Sequence, residues 1–130
     1  MGVFSSRLRV WNPASPSQVA ELDAMVDTGA AYSWVHRSRL EPLNVPVVRR
    51  LKFQTIDGKL IERDLAAVFL SADGYTGGDN VVLGEPGDFE VIGARTLEVL
   101  SLAADPDRKK LVPLTAALAL TNIEIGEGNK

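Results

Sequence analysis

Two alternating stretches, Val47 to Ile56 and Lys59 to Leu70, joined by Asp57-Gly58, constrain the fold of this chain more than any other feature. Side chains alternate across a strand, so two runs of period two separated by an Asp-Gly step predict a β-hairpin. The expected turn is type I′, in which both central residues take positive φ. Phe4 to Val10 also alternates, with Leu8 and Val10 on one side and Arg7 and Arg9 on the other, and it stops at Trp11-Asn12-Pro13. After a turn region through Pro16, Val19 to Val26 supplies a partner strand, so this pair forms another hairpin. Eleven glycines and seven prolines in 130 residues suit a turn-rich β chain better than a helical bundle.

The remaining elements follow in order. Tyr32 to Val35 reads as a short strand, and Ser38 to Leu43 as a brief helix stopped by Asn44-Val45-Pro46. Ser71 to Asp79 reads as turn-rich, Val81 to Leu83 resumes a strand, and Gly84-Glu85-Pro86-Gly87 turns again. Phe89 to Ile92 reads as a short buried strand running into Gly93. Arg95 to Leu102 reads as a helix with Leu97, Val99 and Leu100 inward, and Asp105-Pro106-Asp107 turns the chain into Leu111-Val112-Pro113. Leu114 to Ile125 is apolar, too short to span a membrane, and a candidate terminal strand. The length fits one domain over 1–130, with a core of about 4–113 and a tail over 114–130.

One loop carries the chemistry. In Ala24-Met25-Val26-Asp27-Thr28-Gly29-Ala30-Ala31-Tyr32-Ser33, an apolar strand delivers an acid, a hydroxyl residue and a glycine, followed by small residues that let backbone approach closely. Thr28 is placed to hydrogen-bond to a neighbouring backbone, and Gly29 permits dihedrals that a side chain would block. The arrangement holds a carboxylate still on a tight loop.

Asp27-Thr28-Gly29-Ala30 after an apolar strand resembles the active-site loop of the retropepsin-like aspartic proteases, and the chain looks like a bacterial single-domain form of that family. Val91-Ile92-Gly93-Ala94-Arg95-Thr96-Leu97-Glu98-Val99-Leu100 resembles the family's apolar-apolar-Gly segment and the helix after it. Gly93 stands 66 positions after Asp27, which leaves room for the flap hairpin and further strands. The resemblance spans about Phe4 to Pro113. It implies an all-β fold, a closed barrel or sandwich with one short helix in the C-terminal part, and it places the Asp57-Gly58 hairpin where the flap lies. Asp27, Thr28 and Gly29 then fall on catalytic positions. Ala30, the flap-tip residues Ile56, Asp57 and Gly58, and Leu60 become candidate substrate contacts.

Peptide hydrolysis without a metal or a protein nucleophile needs a base to activate water and an acid to polarise the carbonyl. Two adjacent carboxylates that share one proton perform both roles. The chain has one Asp-Thr-Gly loop, so the expectation is a C2 homodimer in which Asp27 meets Asp27 of the partner. The resemblance implies the same pairing, with Thr28 bonding across the interface and a peptide or protein substrate lying extended under the flaps. The reading is thus an aspartic endopeptidase; the alternative is a dimeric peptide-binding or scaffolding domain that cleaves nothing.

Departures from the family pattern are visible. Ala30-Ala31 stands where retroviral enzymes often carry acids, the interval from Arg63 to Glu90 is long, and the chain continues past Pro113.

Other functions find little footing. A net charge of −3 without a long basic run argues against nucleic acid. Without cysteine there is no disulfide framework and no thiol nucleophile, and a cytoplasmic location is expected. Met1 to Arg7 lacks the apolar core of a signal peptide, and no run is long enough to span a bilayer. The single histidine, His36, excludes a multi-histidine metal site and reads as structural or exposed. Glu85, Asp88 and Glu90 lack the EF-hand spacing, so neither metal nor cofactor is expected. Asp23 shares a strand face with Asp27 but stands about 13 Å from it along a strand, and it reads as solvated or salt-bridged. Trp11 and Trp34 read as core or interface anchors, with Trp34 near enough to the loop to line a pocket.

Overall fold

Burial alternates along the first two strands, β1 (Ser5–Trp11) and β2 (Val19–Val26). Leu8, Val10, Leu22, Ala24 and Val26 point inward. On the other face Arg7 pairs with Asp23 and Arg9 with Glu21, so Asp23 is a salt-bridged surface acid. The antiparallel register sets Leu8 opposite Leu22, so apolar side chains meet across the ladder.

The computed structural model describes residues 4–114. After β3 (Trp34–His36) come α1 (Arg37–Leu40) and a 3-10 turn over Glu41–Leu43, ended by Asn44 in the left-handed region. Then follow β4 (Val47–Gln54), β5 (Leu60–Ala72), β6 (Tyr75–Gly84) and β7 (Val91–Ile92). The helix α2 (Ala94–Leu100) leads into a hairpin of β8 (Leu102–Asp105) and β9 (Lys110–Pro113). Seven strands form one sheet in the order β1-β2-β7-β3-β6-β5-β4, and an extra β1–β5 pairing folds it back on itself. Inside lie Leu8, Val10, Val35, Leu40, Leu70, Val81, Ile92, Leu97 and Leu100. Each such side chain contributes about 1.5–3 kcal/mol relative to exposure.

Several sequence expectations change. The Asp57-Gly58 loop is not type I′, because only Gly58 has positive φ (85°). Gly58 N–H bonds to Thr55 O and Thr55 N–H to Lys59 O, so the loop is one residue longer and closes with a left-handed glycine. Positive φ at both central positions occurs instead at Asp73 (52°) and Gly74 (83°), between the paired residues Ala72 and Tyr75. Ser71 to Asp79 is therefore mostly strand, and β5 and β6 pair without a break from Leu65–Val82 to Ala72–Tyr75.

Phe89 does not lie in a buried strand. It is 78% exposed, and only Val91 and Ile92 pair. Val99 is likewise 40% exposed, on the outer face of α2. That helix stops at Leu100 because Ser101 adopts left-handed φ and its N–H caps the carbonyls of Leu97 and Glu98. Leu102 consequently starts β8, and Leu111 to Pro113 pair with it. Trp11 is half-buried, edge-on to Phe69 at 6.1 Å. Apart from Leu114, the stretch expected to form a terminal strand lies outside the described residues.

Candidate active site

The two-residue strand β7 lies between β2 and β3, which flank the Asp27 loop in sequence. Met25 pairs with Val91 and Val26 with Ile92 in parallel. At the end of β2, Val26 N–H bonds to Phe4 O at 2.9 Å and Asp27 N–H to Ile92 O at 3.0 Å. The backbone that carries Asp27 is therefore held from both sides. The chain turns with Ala30 N–H on Asp27 O (3.1 Å) and Gly29 N–H on Asp27 Oδ1 (3.0 Å), an Asx turn that orients the carboxylate. A Cβ on Gly29 would stand 3.3 Å from that oxygen. The glycine thus leaves the carboxylate its room.

Beyond the turn, the carbonyls of Ala30 and Ala31 accept the N–H groups of Ala94 (2.8 Å) and Arg95 (3.0 Å) at the start of α2. The loop satisfies donors that a helix start leaves open. Gly93 passes directly beneath: a Cβ there would lie 2.4 Å from Tyr32 O and 2.8 Å from Ala30 O, so no other residue fits. Its N–H bonds to the buried Ser33 Oγ at 2.9 Å.

Asp27, Thr28 and Gly29 are exposed, and Asp27 lies at the edge of a cleft of about 310 Å³. Ala30, Trp34, Phe89 and Val91 supply its apolar walls, and Asp88 reaches one side. Of the substrate contacts expected from sequence, Ala30 is brought to this cleft. Ile56, Asp57 and Gly58 stand exposed at the free end of the β4–β5 hairpin and do not line it, and Leu60 is 65% exposed beside them. The tip is self-braced. Thr55 Oγ1 donates to Asp57 and accepts Lys59 N–H, and the Thr55 hydroxyl, above all, holds the Asp57 carboxyl below the ordinary range.

Three side chains escaped the sequence reading. Phe53 on β4 packs on Trp34 with centroids 5.0 Å apart and edge-on to Tyr32 at 6.4 Å, tying the hairpin stem to the residues after the Asp27 loop. Its inward phase on β4 was legible, but its partners were not. Phe89 lines the cleft from a loop, where no periodicity marks it. Arg95 places its guanidinium 5.1 Å over the Tyr32 ring.

The Glu85–Glu90 loop that carries Phe89 is fixed by ion pairs. Asp88 takes Arg63 in two hydrogen bonds (2.8 and 3.1 Å), and Glu90 takes Arg39 in two (2.7 and 2.9 Å). His36 is structural: its main-chain N–H bonds to Glu90 and its Nε2 meets Asp88 O at 2.8 Å. Glu85 lies 3.6 Å from Arg37. The Arg63 guanidinium holds the Asp88 carboxyl below its ordinary range against the opposing effect of burial. Burial pushes Glu90 up, but Arg39 and the His36 N–H together outweigh it and leave the carboxyl lowered. Among the described residues, no group of three or more His, Asp or Glu side chains converges to hold a metal ion. No helix of the described residues is long and apolar enough to cross a membrane.

No family model matches the chain, and no curated protein matches it. Among solved structures, the solution structure of the protease of simian foamy virus (mac) is similar, with a TM-score of 0.51 at 17% sequence identity. The match covers 72% of this chain and 91% of the viral one. The fold is all-β and retropepsin-like.

Proposed function

We propose that this chain is an aspartic endopeptidase whose water-activating pair is made by Asp27 from each of two copies. The observation that carries the proposal is the contrast at Asp27. Its main-chain N–H is held by Ile92 of β7 and that of Val26 before it by Phe4, while its carboxylate stands exposed at the edge of an apolar cleft. One carboxylate cannot serve as base and acid at once, but two in contact share a proton and divide the work. The ionised member takes a proton from water, whose oxygen attacks the peptide carbon, while the protonated member donates to the carbonyl oxygen. Collapse of the tetrahedral adduct breaks the C–N bond as a proton passes to the leaving nitrogen.

In this reading Thr28 braces the paired loops across the two-fold axis, and Gly29 keeps the backbone close and the carboxylate oriented. Ala30 lies beneath the substrate, and Ile56, Asp57 and Gly58 close over it as an extended strand in the cleft. The chain acts as one domain. Absence of cysteine suits a reducing, cytoplasmic compartment.

The test is incubation with unfolded protein at mildly acid and neutral pH, with and without pepstatin, alongside the Asp27→Asn variant. Pepstatin-sensitive cleavage that the variant lacks supports the proposal. No cleavage at any concentration favours a non-catalytic peptide-binding domain.

A further inference from the structure

A carboxylate that hydrolysis does not use is buried in the core. Asp79 on β6 points to the same side as Val81 and Leu83, and its side chain is 2% exposed. Asn80 N–H donates to its Oδ1 at 2.8 Å, the Arg95 guanidinium lies 3.5 Å away, and the Thr96 hydroxyl donates to its Oδ2 at 3.0 Å. Burying a carboxylate is costly, and an apolar residue serves better where packing alone is at stake.

The hydrogen-bond directions point to a role. A hydroxyl has one proton. Thr96 gives its proton to Asp79, so in its contact with Ser33 Oγ it must accept. Ser33 spends its proton on Thr96 and therefore accepts the N–H of Gly93. The chain runs one way, from Gly93 N–H through Ser33 and Thr96 to an anion. The peptide unit at its head joins Ile92 to Gly93, and the carbonyl of that same unit receives Asp27 N–H at 3.0 Å. Bonds in series polarise one another. Charge drawn by Asp79 thus reaches the peptide that holds Asp27.

We propose that Asp79 is a positioning residue for Asp27, acting through Thr96, Ser33 and the Ile92–Gly93 peptide. The inference rests on reading Asp27 as the reacting group, but its test does not need turnover. Amide NMR of the full chain reads the relay directly. In Asp79→Asn, which keeps the shape and removes the charge, the Gly93 amide proton moves upfield. The Asp27 amide exchanges with solvent about twofold faster, because its bond is weakened rather than lost. Amides in the β5–β6 ladder away from Asp79 hold their rates. Thr96→Val gives the same pattern, and Thr96→Ser, which restores the hydroxyl, reverses it. Should Asp79→Asn fail to fold, the Thr96 pair carries the test alone.

Shifts confined to Asn80 and Thr96, with the Asp27 and Gly93 amides unmoved, overturn the inference. So does a Thr96→Ser variant that behaves like Thr96→Val. Kinetics add a separate arm: kcat falls with KM unchanged. If the wild type cleaves nothing, the proposed function fails, and the amide measurements still decide the relay.

Discussion

Gly93 lies so close under Tyr32 that a Cβ on it would stand 2.4 Å from the Tyr32 carbonyl oxygen. The contact is with backbone, which no rotamer change relieves, and the same segment pairs with both strands that flank the Asp27 loop. Gly93→Ala is expected to cost about 3 kcal/mol or more. Urea denaturation reads this as a lower midpoint at similar slope. A midpoint within error of wild type would mean the loop accommodates the methyl group.

Asp27→Asn separates chemistry from folding. The asparagine oxygen still accepts the Gly29 N–H and the position is exposed, so stability should change by less than about 0.5 kcal/mol. Peptide cleavage should fall by at least ~10³-fold, because an amide neither takes nor gives the proton. Thermal melting and a fluorogenic peptide assay check both halves.

Phe53 binds the stem of the β4–β5 hairpin to Trp34 and Tyr32. Phe53→Ala should destabilise by about 2 kcal/mol, less than a fully buried phenylalanine, because the ring is half-buried. Hydrogen exchange should rise along β4 and the adjoining end of β5, with β1 and β2 unchanged. In the proposed protease KM rises more than kcat falls.

Acid should loosen the cleft wall. Asp88 and Asp64 are held low chiefly by hydrogen bonds from Arg63 and Arg37, and Glu90 is also lowered. A carboxyl whose folded pKa lies below its unfolded value takes its proton first in the unfolded chain. Its stabilisation is therefore complete above the unfolded values of about 4 and lost as pH falls through the folded ones. Stability from these groups should stay level from neutral pH to about pH 5 and drop below pH 4. Arg63→Gln should lower neutral stability by about 1–2 kcal/mol and flatten the acid limb. Urea midpoints at stepped pH measure both effects.

Much of the fold was legible because alternation and turn residues announce it: β1, β2 and the β4–β5 hairpin follow from Leu8, Val10, Leu22 and the Asp57-Gly58 step. The β5–β6 ladder was obscured by its glycines. Gly77 and Gly78 look like turn residues, yet each sits within a strand where a Cβ would meet Val99 (2.6 Å) or Phe69 (3.0 Å), so they serve close packing. Phe89 misleads in the opposite sense, an apolar residue in a short apolar run that faces solvent. At the site, Asp27, Gly29 and Gly93 stood out because their residue types are dictated by local backbone. Phe53, Ser33, Asp79 and Thr96 did not, because their partners are distant in sequence and no local pattern links them.

The sharing of one site between two chains is tested most directly by titrating wild-type protein with Asp27→Asn at fixed total concentration, high enough for association, and measuring peptide cleavage. If both carboxylates must come from wild-type copies, turnover follows the square of the wild-type fraction, and an equal mixture retains roughly a quarter of full activity. Turnover in direct proportion to the wild-type fraction would mean that each chain works alone, and the paired-aspartate site would be contradicted.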